Sequence, residues 1–315
     1  MHKIVLTGAT SSIGIAIINK CIRDETEVLA IANPGSVNIK RIPESPYVTV
    51  AEASLEQLSS PIFDEYGGRF KDGAFIHLAW AATNGDAARN LVTPQALNIK
   101  YALDALDLAE KLGCSVFLGA GSQAEYGRRE GILTEELIER PETAYGMAKL
   151  SACHMTRLAA AQKGIKHIWP RILSAYGPNC PDRTVINYSL IELINERIPE
   201  LTKCEQIWDF IYIDDVAKAL LLLCSKGRDG EVYLVGSGED AVLRDYLTVS
   251  RDLLSERLGK ELKPLGFGVK PYGPNTVMHL ACSIDKLKAD TGYEPDYTFA
   301  DGMKETVEWM LNRTV

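Results

Sequence analysis

Apolar positions in the first 175 residues fall into two alternating patterns. Short unbroken apolar runs occur at Lys3–Thr7, Glu27–Ala32, Tyr47–Ala51, Ala74–Ala79, Ser115–Gly119 and Ile165–Leu173. Runs of this length, bounded by turn residues, predict strands buried on both faces, as in a parallel sheet. Between them apolar residues recur at helical spacing: Ile15–Ile22, a long stretch from about 87 to 112, and Tyr145 to about Gln162. Strand and helix patterns in alternation predict a parallel sheet with helices on both faces.

The second half is less regular. Thr184–Arg197, Leu243–Leu258 and Phe299–Leu311 read as helices, Gln206–Ile213 and Glu231–Gly236 as strands. Asp214 is expected to cap a helix running through Leu223. The stretch Gly266–Pro274 is rich in breakers and reads as a loop wrapping a ligand or the other half. The expected division is a dinucleotide-binding domain over 1–175, with a return from about 206 to 236, and a smaller mixed α/β substrate-binding domain over 176–315.

Composition narrows the function classes. The 315 residues are 46% hydrophobic and 24% charged, as in ordinary globular proteins, with room for two domains. The net charge of -8, without a basic run, argues against nucleic acid as a partner. An anionic small molecule then needs a local positive site. No apolar run reaches the roughly 18 residues that span a bilayer, and the chain enters a strand at once; this predicts no membrane segment and no signal peptide. Seven scattered cysteines, odd in number and without a C-x-x-C pair, predict free thiols in a reducing cytoplasm and no zinc site.

Three stretches carry candidate chemistry. The first is Gly8-Ala-Thr-Ser-Ser-Ile-Gly14, set between a strand and a helix. In that context a glycine turn offers free N–H groups and the positive end of a helix dipole to a pyrophosphate. The second is Asn33-Pro-Gly-Ser36, at the end of the second strand. An acidic residue there binds a ribose 2′-hydroxyl and repels a 2′-phosphate. Asn33 is not acidic, and Ser36, Lys40 and Arg41 follow, so NADP is favoured over NAD, which stays possible. The third is Tyr145-x-x-x-Lys149, two side chains on one helical face. A lysine cation beside a phenol is expected to lower its pKa and make it a usable proton donor and acceptor. Alone the pair fits an amphipathic helix equally well. A chain with 13 tyrosines and 34 Lys and Arg residues yields such a spacing about once by chance.

Taken in order, the Gly8 turn, Ser122 at a strand end and Tyr145/Lys149 on the next helix resemble an extended short-chain dehydrogenase/reductase of the nucleotide-sugar epimerase/dehydratase/reductase group. His77-Leu-Ala, Tyr176-Gly-Pro, Asp209–Asp215 and Thr291–Pro295 resemble further blocks of that group. The resemblance spans nearly the whole chain. It implies a Rossmann-type, doubly wound α/β fold and a homodimer formed through the Asn98 and Tyr145 helices. It implies Tyr145 as general acid/base on the sugar oxygen, Lys149 on the nicotinamide ribose, and Ser122 hydrogen-bonding the reacting oxygen. The implied cofactor set is Gly8, Thr10, Ser11, Ser12, Ile13, Gly14, Asn33, Ser54, Leu78, Ala79 and Lys149; the substrate set is Trp80, Gln123, Ser174, Arg183, Lys203 and Trp208. Asn98 is expected to be structural or backbone-solvating.

Departures from the group's pattern narrow the activity. Ser11 replaces the middle glycine of the turn. Dehydratases of the group carry an acidic pair where this chain has Gln123-Ala124, and fucose-synthase-type enzymes carry a cysteine at the Ala124 position. What remains is hydride transfer: reduction of a nucleotide-linked 4-keto-6-deoxy sugar, or 4-epimerisation. The C-terminal half resembles 4-ketoreductases of the CDP-paratose/abequose synthase type, which favours reduction. A cofactor-binding regulator without catalysis is a third reading. Trp208 stands where the group usually has a diphosphate-binding Arg, and Ser174 where an Asn is common; Lys203, Arg183 or Lys270 are expected to compensate, or Trp208 to stack on the ligand.

Overall fold

The computed structural model describes residues 2–83 and 85–313. Among the described residues the central sheet has eight parallel strands, seven of them β1 (Lys3–Thr7), β2 (Glu27–Ala32), β3 (Val48–Glu52), β4 (Ala74–His77), β5 (Val116–Gly119), β6 (Lys166–Ile172) and β7 (Glu231–Val235), and the eighth the short pair Gly121–Ser122 on β6. Their spatial order is β7-β6-β5-β4-β1-β2-β3. The order reverses beside β1, so the strand ends there open a crevice at a topological switch point. Val5, Leu6, Val28, Leu29, Phe75, Phe117 and Leu118 are fully buried, which is why these runs carry no polar alternation. Each contributes about 1.5–3 kcal/mol of apolar burial.

The main helices are α1 (Ser12–Arg23), α2 (Val92–Leu112), α3 (Ala144–Lys163), α4 (Val185–Ile194), α5 (Ile213–Lys226), α6 (Leu243–Leu258), α7 (Asp285–Thr291) and α8 (Phe299–Arg313). α2 packs on α3 on one face of the sheet, and α1 packs on α5 on the other. α2 and α3 both end in a left-handed glycine, Gly113 and Gly164, before the next strand.

Four details differ from the sequence expectation. The stretch from 87 to 112 is not one helix: a short turn at Gly85–Arg89 is followed, after Asn90 and Leu91, by α2, whose first turn accommodates Pro94. Gln206–Ile213 is not one strand. Ile207–Trp208 pairs with Ala241–Val242 and with His279–Cys282, whereas Phe210–Tyr212 pairs with Ser174–Tyr176. Between the two pieces Asp209 is buried. Its carboxylate accepts from the Ser237 amide and hydroxyl and from the Gly238 amide, so the chain changes sheets at a fixed polar anchor. Asp214 does not cap α5; Tyr212 precedes the helix, and Asp214 and Asp215 lie in its first turn. Asp215 instead accepts the amides of Asp296 and Tyr297, tying α5 to the C-terminal segment. The strand His279–Cys282 and helix α7 were not anticipated, being too short to show a period.

Candidate active site

The glycine turn begins the site. Gly8 has φ +70°, and an added Cβ would stand 2.9 Å from the Ala79 nitrogen. At Gly14 an added Cβ would stand 2.5 Å from the Gly8 carbonyl oxygen. Both positions therefore require glycine. Ser11 does not: its φ is -72°, and its Oγ accepts the Gly14 amide at 3.0 Å, capping α1. The missing middle glycine thus becomes an N-cap. The amides of Ser12 and Ile13 have no backbone acceptor among the described residues, which leaves them free to meet an anion.

A cleft of about 1680 Å³ runs from this turn across the strand ends into the C-terminal half. At the β2 end it is lined by Asn33, Asn38, Arg41 and Ser54. Past the β4 end come Leu78, Ala79, Trp80 and Ala81, and past the β5 end Ala120, Gly121, Ser122 and Gln123. Tyr145 and Lys149 of α3 face the same space, and Ser174, Arg183, Trp208 and Lys270 line the far half. Thr10, Ser11, Ser12 and Ile13 also border it, whereas Gly14 sits behind the turn and Lys203 is exposed outside the lining. The basic lining residues are Arg41, Arg89, Lys149, Arg183 and Lys270, against the acids Glu56 and Glu200. An acidic chain thus carries a basic cleft.

Ser122, Tyr145 and Lys149 converge. The Ser122 hydroxyl and the Tyr145 phenol are neighbours in the cleft, and Ser122 Oγ accepts the Ala124 amide at 3.2 Å. Burial pushes the phenol above its ordinary value, while the neighbouring Ser122 hydroxyl and the Arg89 charge pull it back. The lowering expected from Lys149 is therefore not seen in the protein as it stands: desolvation outweighs the Arg89 charge on the phenol. Lys149 is itself buried, which pushes its ammonium down to about 7, against the opposing pull of Glu125. Its Nζ donates to the Ala120 carbonyl at 2.5 Å and lies 3.6 Å from the Trp80 ring centroid.

Sequence reasoning missed Glu125 and its partners, which hold Ser122 in place, whereas the backbone-solvating role expected of Asn98 is seen. Glu125 is fully buried; its Oε1 accepts the Ser122 amide at 2.8 Å and the Trp169 indole at 3.1 Å. Its Oε2 accepts from Arg171 Nε at 2.7 Å, and Arg171 also reaches Glu139 at 2.7 Å. Asn98, buried in α2, accepts the Ala81 amide at 2.8 Å and donates to the Ala81 carbonyl at 3.1 Å, fixing the loop that carries Trp80. Arg89 and the hydrogen-bonded pair Tyr101–Glu56 also border the cleft. The two departures in the substrate half prove to be partners: Trp208 Nε1 donates to Ser174 Oγ at 2.8 Å.

Comparison with known proteins agrees with this geometry. Residues 4–236 match the family described as NAD dependent epimerase/dehydratase. The dTDP-glucose 4,6-dehydratase of Salmonella typhimurium is 24% identical over 99% of this chain and 93% of its own length. That of Shigella flexneri is 28% identical over 58% of this chain, and the match spans about half of the relative, 51%. Among solved structures, the UDP-glucose 4-epimerase of Thermotoga maritima with UDP-glucose superposes with a TM-score of 0.82 at 24% identity, covering 99% of this chain and 100% of that one. The UDP-N-acetylglucosamine 4-epimerase of Methanobrevibacter ruminantium gives 0.84 at 20% identity, covering 99% of each chain. With a family match over residues 4–236, most of its length, this chain belongs to the NAD dependent epimerase/dehydratase family.

Proposed function

We propose that the chain is a nicotinamide-dependent 4-ketoreductase acting on a nucleotide-linked 4-keto-6-deoxy sugar. The observation that carries this reading is the convergence of Ser122, Tyr145 and Lys149 at the middle of one cleft, between the glycine turn and the C-terminal half. The residues fit a dinucleotide: glycine is required at Gly8 and Gly14, and the Ser12 and Ile13 amides are free for its pyrophosphate. The bound nicotinamide would supply the hydride. Tyr145 gives a proton to the sugar oxygen, Ser122 donates a second hydrogen bond to it, and the pair neutralises the charge that gathers there. Lys149 stands one helical turn away to meet the cofactor ribose. The 1–175 segment with the return through α5 and β7 serves the cofactor, and residues 176–315 serve the substrate.

Asn33, Asn38 and Arg41 at the β2 end support NADP. NAD is the cofactor named with related structures, including the dTDP-glucose 4,6-dehydratase of Bacillus anthracis. Tighter binding of NADPH than NADH in a fluorescence titration is the expected result. Gln123-Ala124 in place of an acidic pair argues against dehydration. In the substrate half Arg183 and Lys270 are the cations available to a diphosphate, since Trp208 and Ser174 satisfy each other.

The test is NADPH oxidation against a panel of nucleotide-linked 4-keto-6-deoxyhexoses, with Tyr145→Phe as control. Turnover with one nucleotide, lost at least 10²-fold in the variant, supports the reading. Epimerisation of a UDP-hexose without net NADPH oxidation would replace it by 4-epimerase. Tight cofactor binding with no turnover, indifferent to Tyr145→Phe, would indicate a regulator.

A further inference from the structure

The catalytic tyrosine of this chain has an electrostatic problem. Burial works against its ionised form. Lys149 is poorly placed to relieve it. Its Nζ is engaged by the Ala120 carbonyl and by the Trp80 face, and lies 5.8 Å from the Tyr145 ring centroid. Trp80 is held there by its indole N–H, which donates to Gln95 Oε1 at 2.8 Å, and it meets Tyr145 edge-on at 6.2 Å.

A second cation lies nearer. The Arg89 guanidinium carbon is 5.1 Å from the Tyr145 ring centroid, and Arg89 lines the cleft. Among the described residues its Nε is buried with no acceptor. The charged groups that face Tyr145 are Arg89 from the turn before α2, Lys149 from α3 itself and Glu125 from the turn after β5. Glu125 is held by Arg171, which blunts its repulsion of a phenolate.

We propose that Arg89 is the cation that stabilises the Tyr145 phenolate each time this tyrosine gives up its proton, a task that falls less to Lys149, whose Nζ is held by the Ala120 carbonyl. The proposal rests on the reading of Tyr145 as the acid/base. In reduction the Tyr145 O–H bond breaks as an O–H bond forms on the substrate oxygen. The negative charge then stays on the phenol oxygen until solvent returns the proton. Arg89 acts through Tyr145 and needs no contact with substrate; it tunes the catalytic residue.

The test reads Tyr145 directly. The full chain is labelled with ¹³Cζ-tyrosine, and the Tyr145 signal is assigned by its loss in Tyr145→Phe. Its ionisation midpoint is then compared among wild type, Arg89→Leu, Arg89→Lys and Lys149→Met. Arg89→Leu is expected to raise the midpoint by about one pH unit. Arg89→Lys restores most of the wild-type value, and Lys149→Met moves it less than Arg89→Leu does. An unmoved midpoint in Arg89→Leu, or a larger shift in Lys149→Met, overturns the proposal. So does a kinetic effect of Arg89→Leu confined to KM, which would make Arg89 a substrate contact. Because the titration uses no sugar, a silent turnover assay sinks the ketoreductase reading without touching this one.

Discussion

At the scale of single residues, burial governs the chemistry. Lys149 is only 3% exposed and its ammonium is pushed down to about 7, while in the unfolded chain it titrates near 10.5. The folded state therefore binds fewer protons between these values, so this group's penalty on stability is fully present below about pH 7 and is relieved as pH rises towards 10.5. Lys149→Met is accordingly expected to be more stable than wild type at pH 6, on the order of 1–2 kcal/mol, with the gain shrinking from pH 7 to 10. Thermal melts of both proteins across that range check the sign. The Tyr145/Lys149 pair was legible in the sequence because both side chains sit on one helix, four residues apart. Arg89 and Glu125 were not, because they reach Tyr145 from separate turns that only the tertiary fold brings together. Nor does any pattern of residue types reveal that burial pushes the phenol up.

At the scale of elements, junctions position the site. The α1 turn separates two roles that a three-glycine pattern merges. Gly14→Ala is expected to abolish high-affinity cofactor binding, since its Cβ would press on the Gly8 and Ala9 carbonyls at 2.5 and 2.7 Å. Ser11→Ala should cost about 1 kcal/mol by removing the N-cap yet keep binding within a few-fold, and Ser11→Gly should cost less. Cofactor titration and urea unfolding of the three variants separate these outcomes. The network beneath Ser122 is the other junction. Glu125→Ala leaves Arg171 buried without its main partner, so a loss of about 3–5 kcal/mol in unfolding experiments is expected. Five of the six strand runs of the first half were readable because a strand covered on both faces must be continuously apolar; β3, at the sheet edge, is only half-buried, with Val50 40% exposed. The 206–213 stretch misled because its pattern is equally strand-like on either side of Asp209. The change of sheet is set by what that carboxylate finds at Ser237 and Gly238.

For the whole molecule, charge and shape point the same way. The net charge is -8, yet the cleft is lined by more basic than acidic side chains, so cofactor affinity should weaken as salt rises. No helix among the described residues is long and apolar enough to cross a membrane. Leu97 on α2 and Met147, Met155 and Leu158 on α3 are 45–66% exposed, an apolar face on the two helices that pack together. We infer that a second copy covers it. Leu158→Glu with Met155→Glu is expected to turn a dimer into a monomer in sedimentation; a wild-type chain that sediments as a monomer contradicts this.

The most direct measurement follows the hydride. The protein is given NADPH deuterated at nicotinamide C4, on either face in turn, together with each 4-keto sugar of the panel, and the product is weighed by mass spectrometry. The account predicts one deuterium in the sugar with one of the two labels, one equivalent of released NADP⁺, and loss of both in Tyr145→Phe. An epimerised sugar without deuterium or net cofactor oxidation, or no transfer to any member of the panel, would contradict it.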